Sequence, residues 1–214
     1  MATRREQFAT ALRTNTTYFG IELPGQTVEL LSGYYVLVER WNELHLVAPC
    51  TPQEFAVRHV LESLTLVKHL PSGARVIDVG SGGGLPIVPC LLVREDLHAT
   101  LIESSKRKAV FLREALRLVQ PADRAHVIAA RFEEIDFPDG DFLTSRALDR
   151  FSRLLPTMIQ RARADTKFML FAGVELKVRI ESMLASITIE RLPLCDNRFL
   201  IIGSKDLSGK PVET

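Results

Sequence analysis

The sequence predicts an α/β fold: a mostly parallel, seven-stranded sheet with helices on both faces and a helical extension before it. From Arg75 onward, short apolar runs alternate with amphipathic stretches, the pattern of parallel strands joined by helices. The last two apolar runs have no helical stretch between them and should pair antiparallel. We therefore expect a helical extension packed on the core over 1–72, an α/β domain over 73–205 and a flexible polar tail over 206–214.

The first seventy residues are expected to be helical. Thr51 is suited to cap a second helix that has Pro52 at its first position. A stripe with steps of three and four residues indicates an earlier amphipathic helix. Its members are Leu30, Tyr34, Leu37, Trp41 and Leu44. We interpret both stretches as core packing.

The α/β region divides into seven apolar runs and the helical stretches between them. Ligands of such sheets bind at the carboxyl ends of the strands, so residues just after each run are candidate site residues. The predicted strands are 75–79, 98–102, 125–129, 141–145, 167–171, 187–192 and 198–204, and the predicted helices are about 86–94, 105–119, 149–164 and 175–185.

Composition indicates an ordinary globular protein of 214 residues, with 46% hydrophobic residues, 25% charged residues and a net charge of +1. The three cysteines are far apart and match no zinc spacing, so we expect no metal and a reducing cytoplasmic location. The N-terminus lacks the apolar run of a signal peptide, and no apolar segment approaches the roughly 20 residues of a membrane span.

The first predicted strand runs into a glycine-dense turn with the pattern acid-x-Gly-x-Gly-x-Gly. Its members are Asp78, Gly80, Gly82 and Gly84. Leu85 stands where a dinucleotide-binding fingerprint would need glycine. The pattern resembles the first motif of class I S-adenosylmethionine-dependent methyltransferases, whose sheet also ends in an antiparallel pair. The alternative is an ordinary turn between a strand and a helix.

Two further acidic or aromatic positions follow strands two and three. Glu103 can accept hydrogen bonds from both ribose hydroxyls of a nucleoside, or it is a solvated acid at a helix start. Phe132 and Glu133 occupy a loop suited to a flat, neutral base such as adenine, although Glu133 can equally be surface charge beside Glu134.

Arg146 follows strand four, where a guanidinium can clamp a carboxylate or a phosphate. The alternative is a helix-start arginine paired with Asp149. The Asn/Asp-Pro-Pro-aromatic motif of many amine methyltransferases is missing here, which disfavours an exocyclic amine as acceptor. The lone helical histidine, His59, is interpreted as structural.

Basic residues form two candidate helix faces beside the predicted ligand mouth. Such faces suit a phosphate backbone, although charge runs are as often solvated surface. The faces are Arg146, Arg150 and Arg153, and Lys106, Arg113 and Arg117.

Several segments, in order, resemble the RsmG (GidB) family of 16S ribosomal RNA guanine-N7 methyltransferases. By this resemblance Gly80, Leu85, Phe132, Glu133 and Arg146 take cofactor-binding positions, and the acid after strand two stands where the family commonly has aspartate. The matching segments are 41–42, 58–63, 77–82, 84–86, 101–104, 106–108, 111–112, 131–134 and 145–147.

The chain also departs from the family pattern at three places. Ile87 replaces a usual glycine, His45-Leu46-Val47 replaces Asn-Leu-Thr, and Ala172 precedes Gly173 where lysine is common. These departures concern substrate binding more than cofactor binding.

The resemblance implies an S-adenosylmethionine-dependent methyltransferase that acts on N7 of a guanine in 16S ribosomal RNA. Guanine N7 is an unprotonated nucleophile at neutral pH, so we expect catalysis by positioning, without a catalytic acid or base. The implied partner is 16S ribosomal RNA, the small subunit or its assembly intermediate, with a monomeric enzyme. Alternatives are a methyltransferase of the same fold with another substrate, and a non-catalytic RNA- or ribosome-binding relative.

Overall fold

The computed structural model describes residues 2–146 and 153–205, and its centre is a seven-stranded sheet of order β3-β2-β1-β4-β5-β7-β6. Strands β1 to β5 are mutually parallel, and β7 pairs antiparallel with both β5 and β6. This confirms the predicted fold class. The strands are β1 Arg75–Val79, β2 His98–Ile102, β3 Ala125–Ile128, β4 Phe142–Ser145, β5 Lys167–Gly173, β6 Leu184–Arg191 and β7 Arg198–Lys205.

Helices precede the sheet and connect its parallel strands. The helix before β6 was predicted to continue to residue 185 but ends at Glu181, because Leu184 already pairs with Lys205 of β7. Pairing with a neighbouring strand overrides local helical preference here. The helices are α1 Arg4–Phe19, α2 Gly25–Trp41, α3 over 52–64, α4 Ile87–Val93, α5 Lys106–Ala115, α6 Leu155–Arg161 and α7 Val174–Glu181.

Helix α3 begins as predicted but contains an irregularity that was not predicted. The Thr51 side chain accepts the N–H of Glu54, and the Glu54 carboxylate accepts the N–H of Thr51, a complete capping box. Its middle, Phe55–Leu61, is π-helical. A π-helical turn leaves little trace in apolar periodicity, and such turns occur frequently at functional sites.

The two faces of the sheet belong to two separate apolar clusters. Val76 of β1 packs in a cluster with the N-terminal helices, whereas Ile77 and Val79 pack in the other cluster. Tyr34 and Phe55 of the extension are buried in the first cluster. The extension therefore covers one face of the sheet, while the proposed division of the chain at residue 72 stays a prediction.

The predicted tail over 206–214, and Arg150 of one predicted basic face, lie outside the described residues. Across residues 2–146 and 153–205, no helix is both long enough and apolar enough to cross a membrane.

Candidate functional site

The glycine loop after β1 requires its glycines. Gly80, Gly82 and Gly84 have φ values of 73°, 51° and 83°, in the left-handed region that favours glycine. A Cβ on Gly84 would lie 2.6 Å from Cγ2 of Val88. The main-chain N–H of Gly80 donates to the carbonyl of Ile102 at 2.9 Å, which ties the loop to the end of β2.

The N-terminal extension supports this loop from outside. The buried Tyr34 hydroxyl donates to the carbonyl oxygen of Gly83, and burial raises the pKa of that hydroxyl. A Cβ on Gly83 would lie 3.3 Å from the carbonyl oxygen of Leu46. The extension thus helps to set the shape of the loop, a role that the apolar stripe alone did not predict.

Glu103 lies at the end of β2, as predicted, and its carboxylate holds two main-chain groups. It accepts the N–H of Gly82 at 2.9 Å and the N–H of Ser105 at 2.7 Å. Ser105 in turn caps α5 by accepting the N–H of Lys108. A carboxylate has about four acceptor sites, so capacity remains for the hydroxyls of a ligand.

A cavity of about 430 Å³ opens beside this carboxylate, at the carboxyl ends of β1, β2 and β4. Phe132 is buried in its wall, with the guanidinium of Arg161 5.2 Å from the ring centre, and Glu133 is exposed at its rim. The structure brings together four predicted site residues here, namely Gly80, Glu103, Phe132 and Glu133. The other lining residues are Val79, Ile102, Ser104, Ala130, Arg131, Ser145, Arg153, Leu154 and Met158.

Asp78 lies behind the loop, on the face of the sheet that carries Val76. The side chain is fully buried, and neither carboxylate oxygen has a hydrogen-bond partner among the described residues. The nearby Ser81 hydroxyl donates instead to the main-chain carbonyl of Asp78, at 3.0 Å. Burial raises the pKa of the Asp78 carboxyl to about 8. A buried carboxylate without a hydrogen-bond donor is unfavourable in its ionised form. A ligand that brings a donor to it, above all a cationic donor, would stabilise that form.

Arg146 does not line the 430 Å³ cavity. Its guanidinium donates to the Glu62 carboxylate at 2.9 Å and to the Ser63 hydroxyl at 3.2 Å, and it lies 5.4 Å from the centre of the Phe171 ring. Its ion-pair partner, Glu62, lies in α3, and the sequence did not predict this contact. The alternative partner, Asp149, lies outside the described residues.

The remaining predicted residues have supporting or peripheral places. Leu85 is buried in the apolar cluster shared with the N-terminal helices. Arg153 lines the 430 Å³ cavity, but Arg117 lines a separate groove between α2 and α5. The pKa of His59 is lowered to about 3 by burial and by the neighbouring Arg146. His59 is therefore neutral at physiological pH.

Within the part of the chain that the structure describes, no three His, Cys, Asp or Glu side chains are grouped to hold a metal ion. The carboxyl edge of the sheet combines a cavity large enough for a nucleoside with a glycine loop, and the buried Asp78 carboxylate lies behind that loop.

Comparison with known proteins adds independent information. Residues 27–197 match the family described as rRNA small subunit methyltransferase G. The chain is 37% identical to the ribosomal RNA small subunit methyltransferase G of Methylobacillus flagellatus over 66% of this chain and 69% of that protein. It is 34% identical to the Chromobacterium violaceum protein of the same name over 76% of this chain and 78% of that protein.

Among solved structures, the fold is similar to that of a SAM dependent methyltransferase from Aquifex aeolicus, with a TM-score of 0.54 and 16% identity. The match covers 71% of this chain and 92% of that one. At this identity the similarity concerns the fold alone.

Proposed function

Since the chain belongs to the rRNA small subunit methyltransferase G family, we propose that it methylates small-subunit ribosomal RNA at N7 of a guanine, with S-adenosylmethionine as methyl donor. We place this activity in the cytoplasm, and we propose that the enzyme acts as a monomer on 16S ribosomal RNA, the small subunit or an assembly intermediate.

The proposal is carried by the 430 Å³ cavity, which Gly80 of the glycine loop and Glu103 line; it is supported by the buried Asp78 carboxylate behind that loop, which has no hydrogen-bond partner among the described residues. The adenosine part of the cofactor would occupy the cavity, with its ribose on Glu103 and its base beside Phe132 and Glu133. Its amino group would supply the cationic donor that Asp78 lacks. Gly80, Gly82 and Gly84 would give the backbone access to the cofactor, and Leu85 would support the loop from the core.

When bound, the cofactor supplies an electrophilic methyl group on a sulfonium. The guanine N7 lone pair would form the new N–C bond while the S–C electron pair returns to sulfur, and no proton changes place. The protein therefore needs no general base. Its residues would hold N7, methyl carbon and sulfur in line and exclude water, which together can supply most of the acceleration.

N7 lies in the deep, narrow major groove of A-form RNA, which side chains rarely enter. The target guanine would therefore have to lie in an unstacked or distorted RNA element. The exposed Lys106 and Arg113, and Arg153 of the cavity, are candidates for contacts with the surrounding phosphates.

Calorimetry with S-adenosylmethionine tests the cofactor step, since the intact protein should bind it and an Asp78→Asn variant should bind it much more weakly. Borohydride–aniline cleavage, which cuts RNA at N7-methylguanine, tests the product. Ribosomal RNA from a deletion strain should lose one cleavage site and regain it on incubation with the protein and cofactor. An unchanged cleavage pattern would contradict the proposed substrate.

A further inference from the structure

A second, smaller cavity lies at the same edge of the sheet and shares no lining residue with the 430 Å³ cavity. Its volume is about 110 Å³. Arg146 lines it, whereas the preceding residue, Ser145, lines the 430 Å³ cavity, so the end of β4 contributes to the walls of both cavities. The lining residues are Glu62, Arg146, Phe171, Ala172, Gly173, Leu192 and Arg198.

The centre of this small cavity is a buried carboxylate held between two arginines. Glu62 is 0% exposed, and it forms ion pairs with Arg146 at 2.9 Å and with Arg198 at 2.5 Å. Burial raises the pKa of Glu62, and the two guanidinium groups oppose that shift. A buried ion pair contributes little net stability compared with an apolar replacement, so stability alone does not account for this cluster.

The three charged side chains come from three distant parts of the chain. Glu62 directly follows the π-helical segment of α3, Arg146 follows β4, and Arg198 begins β7. The guanidinium of Arg146 is fixed further by the main-chain carbonyls of Arg58 and His59. The cluster thus attaches the N-terminal extension to the carboxyl edge of the sheet.

The cluster carries more positive than negative charge. Among the described residues, one carboxylate is shared between two guanidinium groups, and Arg198 remains 33% exposed at its side chain. The Nε of Arg198 is buried and has no hydrogen-bond partner within those residues. A guanidinium with unused donors in a partly buried cavity favours an anionic oxygen ligand, and its planar fork fits a phosphate.

We propose that this cavity binds a phosphate of the acceptor RNA next to the target nucleotide, and that Glu62 is a positioning residue that aims Arg146 and Arg198 at it. The inference rests on the proposed function, because the phosphate belongs to the methyl-accepting RNA. Binding a phosphate at the end of β4 would place the adjoining base beside the cofactor cavity.

The cavity is tested by Arg198→Gln, with Arg191→Gln as the matched control. Arg191 lines neither the 110 Å³ cavity nor the 430 Å³ cavity, and its guanidinium pairs with the exposed Asp196. We expect Arg198→Gln to raise KM for RNA at least tenfold, as for loss of a charged hydrogen bond. It should also lower the slope of log affinity against log salt by about 0.7 to 0.9, the value for one phosphate.

Cofactor affinity separates this proposal from the cofactor-binding position that the family resemblance implies for Arg146, and also from failure of the proposed function. In Arg198→Gln the Kd for S-adenosylmethionine should stay within twofold of the intact protein. A parallel loss of cofactor affinity would overturn the proposal, because the cavity would then hold the cofactor carboxylate. An RNA KM and a salt slope equal to those of the control would also overturn it. If the intact protein binds no cofactor, the proposed function itself fails.

The positioning role is tested by Glu62→Gln, with Glu54→Gln as control on the same helix. Glu54 pairs with Arg58 at the surface, and glutamine can keep its capping box. Glu62→Gln should lower kcat/KM for RNA at least tenfold with cofactor Kd unchanged, and Glu54→Gln should lower neither. Equal kinetics of the two variants would contradict the positioning role. Should Glu62→Gln fail to fold, Glu62→Asp, which keeps the charge but shortens the reach, takes its place.

Discussion

The main-chain N–H of Gly82 donates to the carboxylate of Glu103 at 2.9 Å, which fastens the loop after β1 to the end of β2. The same carboxylate accepts the N–H of Ser105 at the start of α5. One acidic side chain therefore fixes both walls of the proposed ribose site. Substitution of Glu103 should therefore weaken cofactor binding in two ways, through the lost support of these main-chain groups and through lost contact with the ribose.

Glu103→Gln should weaken S-adenosylmethionine binding by about 10- to 100-fold, because hydrogen bonds to a charged acceptor are replaced by weaker neutral ones. Calorimetry measures the change. Glu134→Gln, on an exposed neighbouring loop, is the control and should leave the affinity within twofold. Equal affinities for the two variants would show that the Glu103 carboxylate is dispensable.

The raised pKa of Asp78 predicts a pH-dependent cofactor affinity. At a pKa of about 8 the carboxyl is mostly protonated at pH 7, and pairing with the cofactor's ammonium favours the ionised form. Affinity should therefore rise by up to about tenfold per pH unit from pH 6 to 8 and then level off. Calorimetry at pH 7 in buffers of different ionisation enthalpy should show proton release on binding.

Asp78→Asn is the control for that pH dependence. The variant should bind more weakly above pH 8, and it should show little pH dependence between pH 6 and 8 and no proton release from this position. A flat affinity profile for the intact protein would contradict the assignment of Asp78 to the cofactor's cationic group.

Two glycine-to-alanine substitutions should change stability in opposite directions. At Gly84 the φ is 83° and a Cβ would lie 2.6 Å from Val88, so alanine should cost roughly 2 to 4 kcal/mol. At Gly33, inside α2, nothing lies within 4 Å of an added Cβ, so alanine should stabilise by about 0.5 to 1 kcal/mol. Urea unfolding of both variants checks the signs. A stable Gly84→Ala protein would show that the loop can adopt another path.

Tyr34→Phe should test the support that the extension gives to the glycine loop. Loss of its hydrogen bond to the Gly83 carbonyl leaves a buried acceptor unpaired and should cost about 1 to 3 kcal/mol in free energy of unfolding. Cofactor affinity should fall with it. Tyr18→Phe, at a side chain that is 62% exposed, should change neither quantity.

Strand positions explain why the sequence could predict which residues meet in the 430 Å³ cavity. Glu103 and Phe132 follow two successive parallel strands, and the carboxyl ends of such strands meet at one edge of the sheet. Their mutual proximity therefore follows from strand order alone, and the structure shows both in one cavity. The glycine pattern likewise predicted a turn after β1, and the structure shows positive φ at Gly80, Gly82 and Gly84.

Arg146 shows what sequence order could not supply. It ends a strand like the others, but its ion-pair partner Glu62 lies in the N-terminal extension, and only the packed structure brings the two together. Arg146 and Arg153 of the predicted basic face line different cavities, and Arg150 lies outside the described residues, so this face stays a prediction. The π-helical turn that precedes Glu62 leaves little periodic signal, so local sequence patterns could not predict the cluster of Glu62 with the two arginines.

Transfer of a methyl group to guanine N7 of small-subunit ribosomal RNA can be measured with labelled S-adenosylmethionine and RNA from a deletion strain. Label is expected at one guanine, at the position where borohydride–aniline cleavage is restored. Asp78→Asn should greatly reduce that label. Label at another atom, label only on small molecules, or no label despite cofactor binding would contradict the proposed N7 methyl transfer.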